Sequence, residues 1–238
     1  INVIHVPIAT KWEAIEMAKK LKIAVLTSCS VTRSVPPIVR IADAPQGTPE
    51  ALLDWWMKQL RFRGVKREKE MLTPNELYRG VSFDTVAEIA QIIGAANIRI
   101  VTGGMGLVPL NEKIVPYDFT SDKNQPHNAH QKVTSKFLPH IWWEMINKAR
   151  YNDASPVSTL IEKCDIVVAA LPKAFIKYIV FDLLNAYRNA DIKSKAFIPI
   201  PRSMIGSFPK SIHSIFVPYD QSFTDGLDGN RYNKPQKV

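Results

Sequence analysis

Cysteine is nearly missing from this 238-residue chain, with Cys29 and Cys164 its only two. Two thiols so far apart fit neither the paired spacing of a zinc site nor the four ligands of an iron–sulfur cluster. Both read as reduced thiols, and no cofactor or metal is expected. Long apolar runs are missing too: none approaches the roughly 20 residues that span a bilayer, which removes a membrane-spanning reading. No basic start followed by an apolar stretch and a small-residue cleavage site occurs, so the expectation is a cytoplasmic protein. Acidic residues are the third shortage, 22 against 31 Lys and Arg, which leaves a formal charge of +9. Such an excess draws polyanions through the summed field and through counterion release, so nucleic acid is the leading partner, with an evenly spread solubility charge as the alternative.

What remains is the composition of an ordinary globular protein, 46% hydrophobic and 22% charged. A chain of this length buries roughly 70–75% of its unfolded surface, enough for one core without staples. Short β-branched runs at 22-KIAVLT-27, 98-IRIVTG-103, 165-DIVVAALP-172 and 196-AFIPIP-201 read as strands buried on both faces. Helices are predicted between them. Thr48-Pro49 opens one with Leu53, Trp56, Met57 and Leu60 on a single face, and Ser82 opens another with Phe83, Val86, Ala90 and Ile93 that stops at Gly94. Ser155-Pro156 opens a third, 173–190 is a fourth, and 130–151 looks helical but is interrupted at Pro139. The alternation predicts a single α/β domain over 1–238 with three α/β/α layers about a mostly parallel sheet, whose ligands sit beyond the carboxyl ends of the strands. Residues 36–72 read as a basic insertion, densest at 61-RFRGVKREKE-70, and the chain from about 221 as an exposed arm.

Several strand ends carry candidate chemistry. The loop 27-TSCSVTR-33 offers small residues whose backbone N–H groups suit an anion or a base, or else forms a polar turn leading to Pro36-Pro37. Cys29 has no His near it in sequence and reads as a small buried thiol rather than a nucleophile. Gly103, Gly104 and Gly106 match neither a dinucleotide fingerprint nor a P-loop, so on spacing they are a tight turn; Tyr117 and Asp118 soon after could make them the wall of a pocket. His127 and His130 have a ligand-like spacing but read as a solvated helix start. The ending V-P-Y-D recurs at 217–220 and makes Asp220 a second candidate carboxylate. In each of the pairs Trp55-Trp56 and Trp142-Trp143, at least one ring is expected in the core.

Taken in order, 27-TSCSVTR-33, 77-LYRG-80 and 102-TGGMGLVPLNEKIVPYD-118 resemble the YaaA-like proteins, which carry an S-C-S/G-K-S/T-K loop, an L-Y-x-G step and a G-L-L-x-P…P-Y-D segment. The likeness covers about residues 22–120. Two departures stand out: Val31 replaces the first lysine of the loop, leaving Arg33 at the second basic position, and a long basic insert precedes Leu77.

The resemblance implies a fold akin to the uracil-DNA glycosylase superfamily, in proteins that bind DNA or act on modified bases, including those that excise hypermodified bases from phage DNA. It implies a hydrolase that flips a base from duplex DNA and cuts its N-glycosidic bond. The first loop lacks the carboxylate those enzymes use, so Asp118, with Asp220 second, is the expected group for water or for the developing sugar cation. Ser28, Cys29, Ser30, Tyr78, Arg79, Gly103, Gly104, Met105, Tyr117 and Phe119 would line the base and sugar pocket, with Tyr117 or Phe119 stacking on the base. Arg33, Lys173, Arg202, Ser203, Met204, Lys210 and Arg231 would hold the DNA, and 199-PIPRSMIGSFP-209 echoes the minor-groove loop, Met204, Ile205 and Phe208 being either wedges or ordinary packing. Two alternatives stay open: a non-catalytic DNA-binding stress protein, and a nucleotide- or nucleoside-processing enzyme that seats phosphate on the glycine loop.

Overall fold

The β-branched runs do pair into a sheet. A computed structural model describes residues 21–189 and 192–219 of the chain. Its strands are β1 (Ile23–Ser28), β2 (Val39–Arg40), β3 (Ile98–Thr102), β4 (Gly106–Pro109), β5 (Tyr117–Asp118), β6 (Ile166–Ala170), β7 (Ala196–Pro201) and β8 (Phe216–Tyr219). Six of them form one sheet in the order β4-β3-β1-β6-β7-β8, parallel throughout except for β4 against β3. A separate two-stranded ribbon pairs β2 with β5 in parallel. All four strands expected from the sequence are present; β2, β4, β5 and β8 are additional.

The helices are α1 (Pro49–Lys66), α2 (Pro74–Leu77), α3 (Val81–Ile93), α4 (Pro139–Tyr151), α5 (Pro156–Lys163), α6 (Lys173–Asn189) and α7 (Ile192–Lys195). Thr48 caps α1 by accepting from the Ala51 N–H at 3.2 Å, with Pro49 in the first turn, where it sacrifices no helical hydrogen bond. Leu52, Trp56 and Leu60 recur every four residues and bury together with Met57, so Leu52 rather than Leu53 takes the first core position. Helix α3 starts one residue before the expected Ser82, because Gly80 at φ +108° turns the chain into it. Pro139 begins α4 instead of interrupting a longer helix: the residue before a proline avoids the helical region, and Leu138 is extended. Between β5 and Pro139 the helical structure is a single 3-10 turn, Ala129–Gln131.

Packing places α6 along both α4 and α5, with α1 against α4. Where α4, α5 and α6 meet, the buried Asp182 Oδ2 accepts from Trp143 Nε1 at 3.1 Å and from the Val157 N–H at 2.9 Å. A mostly parallel sheet whose strands are joined through helices is consistent with three α/β/α layers. The segment 36–72 is built into this packing rather than appended to it, since Trp56 on α1 is fully buried.

Strand order fixes where a ligand would sit. From β1 the chain steps to one side for β3 and then to the other for β6, β7 and β8, so the direction reverses at the β1/β6 boundary. In open α/β sheets the crevice outside the carboxyl ends at such a reversal is the general binding position. The ladder between β6 and β7 is short, Val167 to Ala196 and Val168 to Phe197; beyond it β7 carries Pro199 and Pro201, which have no N–H to donate.

Candidate functional site

Four connections leave the carboxyl ends of the parallel strands: 29–33 after β1, 103–105 after β3, 171–172 after β6, and the 3-10 turn Arg202–Ser207 after β7. Most of the residues expected at a site lie on or beside them. Arg33 is the hinge of the arrangement. Its backbone pairs with that of Tyr78, bringing the Tyr78-Arg79 step against the first loop, and the Arg79 N–H donates to the Thr32 carbonyl at 3.0 Å. Its guanidinium meets Asp118 on β5 at 3.5 Å, with the Asp118 side chain 47% exposed. A carboxylate and an arginine distant in sequence thus share one rim with the first loop, which carries Ser28 and Ser30, while Cys29 turns inward. Val31, where the YaaA-like pattern has a lysine, is 90% exposed on that rim.

Beneath the charged rim lies a layer of neutral hydroxyls. The buried Tyr78 and Tyr117 phenols bond each other at 2.8 Å, and Tyr117 also interacts with the Thr102 hydroxyl. Tyr178, on α6, donates to Ser121 Oγ at 2.6 Å. Burial pushes the phenols of Tyr78, Tyr117 and Tyr178 above their ordinary range, so all three are uncharged at neutral pH. Cys29 sits among them: burial pushes its thiol up to about 11 despite the opposing pull of Arg33, which fits the inert role its sequence context suggested. Sequence reasoning missed Thr102, Ser121 and Tyr178, and no local pattern marks them; only the tertiary contact with the corner does.

The glycine loop is a turn. Trp56 Nε1 donates to the Gly104 carbonyl and Trp142 Nε1 to the Gly103 carbonyl, both at 2.6 Å, while Arg150 donates to the Met105 carbonyl. Gly106 takes φ +71°, and a side chain at Gly104 would lie 2.5 Å from the Tyr117 ring. These donors satisfy the carbonyls of the turn, and residues 103–106 are themselves buried, so the turn presents no open backbone face to a phosphate. Met105 faces a different groove, of about 610 Å³ between α1 and the start of α4's last turn, with Met57, Met71 and Arg150.

Some expected roles do not match the observed placement. Tyr117 and Phe119 are 1% and 8% exposed, with Phe119 stacked on Trp142 at 5.1 Å, so their rings are committed to the core and present no open face to a base. Both Trp142 and Trp143 are core residues, as is Trp56. Phe208 is buried, and Met204 and Ile205 pack partly against the core, which favours packing over the wedge reading. Arg202, Ser203 and Lys210 remain on the exposed turns after β7, and Lys173 Nζ donates to Ser207 Oγ at 2.9 Å, tying the β6 and β7 connections together. Asp220, Arg231 and the carboxyl-terminal arm lie outside the described residues. Among the described residues no group of three or more His, Cys, Asp or Glu could hold a metal ion, and no helix is long and apolar enough to cross a membrane.

The fold and corner together define an α/β protein with a candidate ligand site at the carboxyl edge of its sheet. Compared with known proteins, the chain matches no family model, no curated protein and no solved structure.

Proposed function

We propose that the protein is a DNA glycosylase of uracil-DNA glycosylase-like fold that hydrolyses the N-glycosidic bond of a modified base, the glucosylated hydroxymethylcytosine of phage DNA being the first substrate to test. The observation that carries the reading is the meeting of Asp118 with Arg33 at the carboxyl ends of β1 and β3, beside the strand-order reversal, in a chain of +9 charge. In this reading a duplex is drawn to the basic rim and one nucleotide leaves the stack, at a cost of a few kcal/mol. Asp118 orients water toward C1′ and stabilises the sugar cation as the C–N bond breaks. The water oxygen ends on C1′, and the base departs with the bonding pair and a proton. Ser28, Ser30 and Arg79 supply the polar lining, while Arg202 and Lys210 meet phosphates.

The test is base release from modified and plain duplexes, read as strand breaks after alkali. Asp118→Ala is expected to lower release by about 100-fold or more while duplex binding persists. Intact strands across the whole panel, or unchanged release by the variant, would remove Asp118 from the chemistry. A non-catalytic DNA-binding protein is the second reading. It is favoured by the burial of Tyr117 and Phe119, which leaves neither ring open to a flipped base; it predicts salt-sensitive duplex binding with every base retained. The nucleotide-processing alternative has less support, because residues 103–106, where it would seat phosphate, are buried.

A further inference from the structure

The densest basic segment of the sequence is not used by the corner just described. In the structure, the last turns of α1 and the residues after it face the β2–β5 ribbon across a groove of about 740 Å³. Arg40, Arg63, Arg67 and Lys69 line it, against the two carboxylates of Asp43 and Glu70. Arg67 is paired with Glu70 at 3.2 Å, so Arg40, Arg63 and Lys69 face the one remaining carboxylate, Asp43, and the groove keeps a net positive lining. We propose that this groove seats the sugar-phosphate backbone of the DNA strand leading away from the Asp118 corner, extending the bound duplex beyond the flipped nucleotide. The proposal rests on the DNA-binding part of the reading above and not on catalysis.

Three observations carry it. First, Arg63 Nε is buried and has no hydrogen-bond partner, and Arg33 Nε shares that condition. A buried guanidinium N–H without an acceptor is costly, and a shift of the Arg63 side chain toward an anion in the groove it lines would relieve that cost. Second, the groove is continuous with the corner. Arg40 is the register partner of Asp118, and because Val39 and Tyr117 are buried, strand alternation puts Arg40 and Asp118 on the same outer side of the ribbon. Cations therefore run from Arg33 through Arg40 into the groove, as a polymer track requires and an isolated small-anion site does not. Third, the floor is formed by Pro36, Pro37 and Pro116, apolar and conformationally fixed, a surface suited to the sugar between successive phosphates. An acidic protein segment would meet the same arginines, but the run of cations from the groove through Arg40 to Arg33 matches the regularly spaced charges of a nucleic-acid backbone.

The experiment is the salt dependence of binding to a short fluorescent duplex, measured by anisotropy for the wild-type chain and for Arg40→Gln/Arg63→Gln/Lys69→Gln. The triple variant is expected to lose about 2 to 3 from the slope of log K against log[salt], one phosphate contact per removed charge. An unchanged slope in a variant whose melting temperature matches wild type overturns the proposal. Should the triple variant fail to fold, the exposed Lys69→Gln alone decides the matter: a slope lower by about 1 supports the groove, and none refutes it. Base release is scored on the same samples. Release with an unaltered slope sinks the groove and leaves the glycosylase reading standing; an altered slope without release does the reverse.

Discussion

Asp182 is the residue whose environment has the clearest consequence for pH. Loss of hydration raises its carboxyl from the ordinary 3.8 to about 7, although Val157, Trp143 and Ser155 hydrogen-bond to it and favour its charged form. Between roughly pH 4 and 7 the native state keeps a proton that the unfolded chain has released, so this group's contribution to stability falls as pH rises through that window and levels above it. Asp182→Asn retains an oxygen for the Val157 and Trp143 donors and removes the titration. The difference in urea midpoint between pH 5 and pH 8 should shrink in the variant; an identical difference would show that Asp182 does not titrate in this range. Cys29 gives a second expectation at this scale. With its thiol near 11, it should resist iodoacetamide at pH 7.5 in the native protein and react on unfolding, and rapid native labelling at Cys29 would contradict its placement.

At the scale of elements, the turn between β3 and β4 is the most constrained. Gly104→Ala drives a methyl group against the Tyr117 ring, itself fixed by Tyr78, and should destabilise by about 1–3 kcal/mol in chemical denaturation. Trp56→Phe keeps an aromatic ring but strips the Gly104 carbonyl of its donor, which should also cost about 1–3 kcal/mol. Wild-type stability in either variant would mean that the turn is held by something else. The same turn marks the limit of what was legible beforehand. Gly103-Gly104 announced close approach, and β1, β3, β6 and β7 announced themselves because β-branched runs between turn residues have few other outcomes. Strand β4 was not legible, since four residues ending in a proline have no periodicity to read, and β2 and β5 exist only through each other. The Arg33–Asp118 pair was half legible: each residue stood out in its own motif, but their meeting depends on a ribbon no local pattern specifies. Tyr117 and Phe119 misled because an aromatic next to a carboxylate looks the same in sequence whether its ring faces solvent or the core.

For the whole molecule, the sheet is unequal from side to side. Strand β1 pairs with β3 and β6 over four and five positions, whereas β6 and β7 share two. Amides of β1 and β3 should therefore be the slowest to exchange with solvent, and those of β8 markedly faster, in native-state hydrogen exchange. Uniform protection across all six strands would contradict this reading. The fold also separates its charges by role. Asp182 and the three phenols are enclosed among helices and strands, while the cations of the proposed track lie along the outer side of the β2–β5 ribbon and the end of α1. Substitutions that discharge that outer side are thereby kept apart from the groups that hold the interior together.

Two of the chain's five tryptophans, Trp56 and Trp142, have their ring nitrogens tethered to consecutive peptide oxygens, with the Trp56 ring edge-on to Tyr117 and the Trp142 ring stacked on Phe119. The protein consequently carries its own fluorophores at the back of the corner. Any ligand whose arrival tugs on the 103–105 backbone alters the wavelength and lifetime of indole emission, so occupancy can be followed in unlabelled protein before the identity of the ligand is known.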